Sequence, residues 1–120
     1  MPIVTDTQPA AQRRPLIELL TTSHCPHRQA ALALVQRVCG LLDGQAEIRV
    51  IQVPDQQAAE QAHFLGSPTI RVNGRDIEPG AEWNNEYVCG CRLYQGRHSL
   101  RGLPEEAWLR QALQNAHSQL

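Results

Sequence analysis

Residues 21–28 read Thr21-Thr22-Ser23-His24-Cys25-Pro26-His27-Arg28, a cysteine between a short apolar run and a long helical pattern. Upstream, Leu16, Ile17, Leu19 and Leu20 are bounded by Pro15 and by the polar cluster that holds Cys25. A short apolar run with such bounds reads as a buried strand. Downstream, Ala31, Leu34, Val35, Val38, Leu41 and Leu42 recur at helical spacing, with Gly44 as a stop. Pro26 is expected in the first turn of that helix, where its missing N–H costs nothing.

The rest of the chain extends the pattern. Glu47 to Val53 alternates, is rich in β-branched residues and ends at Pro54, which predicts a second strand. Asp55 opens an Ala- and Gln-rich stretch through Ala58, Ala59 and Ala62 that is expected to close at Gly66, a short helix. Thr69–Val72 and Arg75–Glu78 flank Asn73-Gly74, the pair that a type I′ hairpin turn prefers. Residues 79–102 show no period, and Pro104, Glu105 and Glu106 open a final helix to about Ala116. The predicted order is βαβαββα, an α/β fold with a mixed four-stranded sheet flanked by helices: parallel strands from the two βα units and an antiparallel hairpin on the same sheet.

At 120 residues the chain suits one domain. Residues 1–14 are expected to be a flexible arm and 15–120 the single domain. The net charge is −1, with eleven Arg, no Lys and twelve acidic residues. No positive field draws in nucleic acid, and lysine-based chemistry is excluded. No apolar run has the length of a membrane span, and the first fifteen residues lack the apolar core of a secretion signal. The expected location is cytoplasmic, where the four cysteines are free, catalytic or metal-binding thiols rather than a disulfide framework.

Cys25 carries the candidate chemistry. The N-terminus of a helix presents unpaired N–H groups and a positive dipole end that favour a thiolate, and His24, His27 and Arg28 surround it with groups that are or can become cationic. The plain alternative is a half-buried residue at a helix start without reactivity.

These residues resemble the thioredoxin-like superfamily, whose active-site cysteine opens the first long helix after a strand. Its second landmark, a cis-proline before the next strand, corresponds to Gly66-Ser67-Pro68-Thr69-Ile70. Phe64 to Gly74, with Cys91-Arg92-Leu93-Tyr94 downstream, is similar to small bacterial members of the thioredoxin family with a C-P-x-x variant of the active site. The resemblance implies a cis Ser67-Pro68 bond. It also implies a substrate region formed by Pro26, His27, Ser67, Pro68 and Thr69, with an extended peptide able to add as a strand at Ser67. The departures matter as much. Arg28 stands where a dithiol member has its second cysteine, and His24 where thioredoxin has Trp, so a C-x-x-C redox cycle is excluded and glutathione binding is not implied.

The remaining cysteines sort by position. Cys39 lies fourteen residues along the expected helix from Cys25, about 21 Å away, against a limit of roughly 7 Å for a disulfide, and is read as core. Cys89 and Cys91 are too close in sequence to bridge each other without strain, and either can reach Cys25, with Cys91 favoured by the resemblance. The reading is a thiol–disulfide oxidoreductase or thiol-exchange protein. Cys25 is the nucleophile, Cys91 or Cys89 the resolving thiol, and Arg28 the charge beside the thiolate. Its substrate is a protein or small-molecule disulfide, and no resident cofactor is called for. Two alternatives stay open: a soft-metal or metalloid-binding protein using Cys25, Cys89 and Cys91 with His24 or His27, and a non-catalytic interaction module. His63, His98 and His117 are read as surface residues, Trp108 as packing, and Trp83, Tyr87 and Tyr94 as core or groove aromatics.

Overall fold

Strand β1 (Leu16–Thr21) buries apolar side chains on both faces and lies inside the sheet. Ile17 and Leu19 are fully buried on one side, and Leu20 belongs to a second cluster on the other, as alternation along a strand requires. The structure, a computed structural model, describes residues 14–42, 46–95 and 100–118. The arm expected over 1–14, apart from Arg14, lies outside the described residues, as do Gly44, His98 and the side chain of His117.

Helix α1 (Arg28–Leu41) follows β1 and leads to β2 (Glu47–Gln52), which pairs parallel with β1. Helix α2 (Gln56–Gln61) leads to β3 (Thr69–Val72), antiparallel to β1. Strand β4 (Arg75–Asp76) closes a hairpin on β3. The sheet order is β2-β1-β3-β4. Asn73 at φ 52 and Gly74 at φ 85 supply the two positive φ angles of a type I′ turn. Ribbon β5 (Tyr94–Gln95) and β6 (Leu100–Arg101) precedes α3 (Glu106–Ser118). Helices α1 and α3 pack with Ile17, Leu19, Ile70 and Val72 through Leu34, Val35, Val38, Leu109 and Leu113, while Val53, Ala59 and Phe64 join Leu20 beneath α2. The thioredoxin-like α/β architecture of a mixed four-stranded sheet flanked by helices is therefore present. No helix among the described residues is long and apolar enough to cross a membrane.

Three boundaries differ from expectation. Pro26 is not in the first turn of α1. The Cys25 N–H donates to the Thr22 carbonyl at 3.4 Å and the Arg28 N–H to the Cys25 carbonyl at 3.3 Å, so two tight turns cover 22–28 and the helix starts after His27. Helix α2 ends before Gly66: Phe64 N–H bonds Ala59 C=O and His63 N–H bonds Glu60 C=O, a Schellman closure with His63 at φ 53 in the glycine position. The segment 79–102 contains a 3₁₀ turn at Ala81–Trp83 and the β5–β6 ribbon, pieces too short to leave a period in the sequence.

Candidate functional site

The loop that carries Cys25 is tied to the loop before β3. Thr22 N–H donates to the Ser67 hydroxyl at 3.1 Å, and the Thr22 carbonyl accepts from Cys25. Ser67 is 2% exposed, and its peptide bond to Pro68 is cis. Cys25 is half-exposed and free, with Ser23, His24, Pro26 and Arg28 exposed around it. The His27 ring lies against Gly102, where any Cβ would collide with it.

A strap, residues 87–92, runs beside the 63–67 loop. Val88 N–H donates to Phe64 C=O at 2.9 Å, Ser67 N–H to Gly90 C=O at 2.7 Å and Arg92 N–H to Ser67 C=O at 3.0 Å. This is a parallel bridge that sets Cys91 opposite Ser67. Gln56 holds the upstream end, with its amide N donating to Tyr87 C=O at 2.8 Å and its Oε1 accepting from Cys89 N–H at 2.9 Å. Tyr87 stacks on His63 with ring centroids 4.7 Å apart.

Beyond Cys91 the strap is anchored by charge. Arg92 donates to the Thr69 hydroxyl at 2.9 Å, to both Asp76 oxygens at 2.7 and 3.1 Å and to Glu78 at 2.7 Å. It also lies 4.3 Å over the Tyr94 ring, a cation–π contact. Burial alone would lower the Arg92 pKa, but the hydrogen bond and charge of Asp76, the electrostatic effect of Tyr94 and the hydrogen bond to Glu78 outweigh it and raise the value. Tyr94 is fully buried and donates its hydroxyl to the Pro68 carbonyl. Its phenol is raised mainly by burial, opposed by Arg92 and reinforced by Asp76 and Glu78.

The expected site residues divide accordingly. Cys25, Pro26, His27 and Arg28 lie on the loop and helix start that follow Thr22, whose N–H is held by Ser67. Thr69 does not face outward: it is fully buried, its hydroxyl donating to Gly66 C=O at 2.6 Å and accepting from Arg92. The backbone of Ser67, expected to be open to an incoming peptide, is paired with the chain itself. Cys89 directs its thiol to the Val53 carbonyl at 3.7 Å and packs against the cluster under α2, whereas Cys91 is exposed. Cys39 is buried in the core, and burial pushes its thiol pKa up. The helical path from Arg28 to Cys39 spans eleven residues, about 16 Å. Among the described residues no group of three or more His, Cys, Asp or Glu is placed to hold a metal ion, so the soft-metal cluster of Cys25, Cys89 and Cys91 is not assembled.

Arg92, Asp76, Glu78 and Tyr94 were not singled out together by the sequence. The one signal was the Cys91-Arg92-Leu93-Tyr94 stretch, where the second and fourth residues are buried and the first and third exposed. A groove of about 800 Å³ runs along β3, β4 and α3 past Arg71, Glu78 and Trp108. Its lining includes none of Cys25, Ser67 or Cys91.

Over 63 residues the chain is 36% identical to a protein named Thioredoxin from Methanocaldococcus jannaschii, an alignment covering 52% of this chain and 73% of that protein. No family model matches. No solved structure matches.

Proposed function

The chain belongs to the thioredoxin family, and from that premise we propose that it is a thiol–disulfide exchange protein with Cys25 as nucleophile and Cys91 as resolving thiol. The observation that carries this reading is the bridge of Cys91 to Ser67, because the Ser67 hydroxyl is hydrogen-bonded to the loop bearing Cys25. Residues opposite each other in a ladder project to the same side. Cys91 therefore shares a side with the serine that touches the Cys25 loop.

In this reading the Cys25 thiolate attacks one sulfur of a disulfide, releases the first thiolate and leaves a mixed disulfide. The Cys91 thiolate then attacks the Cys25 sulfur and releases the second. Cys89 is the poorer resolving group, its thiol engaged at Val53. Arg28, exposed at the start of α1, supplies positive charge near the reacting sulfur. The reading fits a reducing, cytoplasmic setting, which accords with four free cysteines. The test is mild oxidation followed by peptide mass mapping. A Cys25–Cys91 link is expected that Cys91→Ser abolishes and that Cys39→Ser and Cys89→Ser leave intact. A Cys25–Cys89 link reassigns the resolving role, and no intramolecular link at all overturns the two-thiol scheme.

A further inference from the structure

We propose that the disulfides reduced at Cys25 are low-molecular-weight ones, and that extended protein segments are excluded because residues Gly90–Arg92 already fill the edge on which such a segment would add. The inference rests on the exchange reading above, and goes beyond it by naming the substrate class.

Strand addition needs a free N–H and a free C=O on the receiving edge. On the loop tied through Thr22 to that of Cys25 the edge is Ser67, and both groups are taken: N–H by Gly90 C=O at 2.7 Å, C=O by Arg92 N–H at 3.0 Å. The next carbonyl, that of Pro68, accepts from the Tyr94 hydroxyl. The self-added segment is also locked from the side. Arg92 is 6% exposed, and its guanidinium is shared among Thr69, Asp76 and Glu78. Lifting the strap would separate a buried, hydrogen-bonded ion cluster, which is strongly unfavourable. The two loops are in close contact. A Cβ on Gly66, whose φ is 118, would come within 2.8 Å of Arg92 Cβ. Cys25 lines neither the groove along β3, β4 and α3 nor the one between α1 and the start of α3. Cys25, a partly exposed residue with exposed neighbours, meets the needs of a small reactant that requires only in-line access.

The reaction balances without another oxidant. A disulfide RSSR takes two electrons from the Cys25 and Cys91 thiols, giving two RSH and the Cys25–Cys91 disulfide. A dithiol reductant then returns the protein to its starting state by the same exchange run in reverse.

The experiment compares single-turnover oxidation of the fully reduced chain by bis(2-hydroxyethyl) disulfide and by insulin, each rate divided by that of dithiothreitol with the same disulfide. Wild type is expected to favour the small disulfide by about tenfold or more, the scale set by the two backbone hydrogen bonds a peptide cannot make. Glu78→Ala removes one arm of the latch, and Gly66→Ala pushes on Arg92 from the other side. Hydrogen exchange at the Ser67 and Arg92 amides reports whether either variant has opened the strap. An opened strap with a narrowed preference supports the proposal. An opened strap with an unchanged preference overturns it, as does a wild type showing no preference. If Cys25→Ser reacts with both disulfides as wild type does, the exchange reading itself fails and this inference falls with it.

Discussion

Arg92 makes four side-chain hydrogen bonds while its side chain is only 5% exposed. The fork to Asp76 uses both terminal guanidinium nitrogens, a geometry that lysine's single ammonium does not reproduce. Arg92→Met leaves Asp76, itself 13% exposed, without its partner, and is expected to lower stability by about 3–5 kcal/mol in urea denaturation. Arg92→Lys should recover only a minor part of the loss. Equal stability of the wild type and the methionine variant would show that the cluster anchors nothing. The same residue explains why the strap carrying Cys91 is held firmly although Cys91 itself is exposed.

Helix α2 shows how an element of six residues is given defined ends. Asp55 accepts the Ala58 N–H at 2.8 Å at its start, and Arg71 donates to the carbonyls of Ala62 and His63 at 2.6 and 3.0 Å at its finish. Between these caps the chain turns through His63 at φ 53, a conformation that penalises any residue with a Cβ. His63→Ala loses the stacking on Tyr87 and keeps that penalty, whereas His63→Gly loses the stacking alone. The alanine variant is therefore expected to be less stable than the glycine variant by about 1 kcal/mol, read from thermal or urea midpoints. The reverse order would mean that the left-handed turn is not retained in solution.

Across the whole molecule, the latch couples the sheet edge, the cis-proline loop and α3, because Tyr94 touches Pro68, Arg92 and Trp108 at once. This coupling has a pH signature. The Tyr94 phenol is raised by burial first, with Arg92 opposing and Asp76 and Glu78 adding. A group whose folded pKa lies above its unfolded value stabilises the protein fully below the unfolded value, about 10 for tyrosine. That stability is lost as pH rises toward the folded value, by up to about 1.4 kcal/mol per pH unit. Urea midpoints between pH 8 and 11 are expected to fall above about pH 10 in wild type. Tyr94→Phe should flatten that fall while losing about 1 kcal/mol at neutral pH with its hydrogen bond to Pro68. An alkaline decline of the same slope in both proteins would remove Tyr94 as its source.

Local patterns in the sequence determined the layer order, because they act through neighbours in the chain. The apolar run of β1, the helical spacing from Ala31 to Val38, the Asp55 cap and the Asn73-Gly74 turn each depend on contacts a few residues apart. The position of Cys25 between strand and helix follows from the same patterns. Other features were decided by tertiary structure alone. Pro26 falls before α1, and not inside it, in a loop of two tight turns whose start is held at the Thr22 N–H by the Ser67 hydroxyl, 45 positions away. His63 replaces Gly66 as the helix stop because Arg71 and Tyr87 hold it from distant strands and loops. The pairing of Cys91 with Ser67 bridges 24 positions, and the Arg92 cluster gathers Thr69, Asp76 and Glu78 from the hairpin and its flanks. No periodicity encodes such contacts: each is made of long-range bonds whose partners are chosen only when the sheet, the loop and the strap have come together.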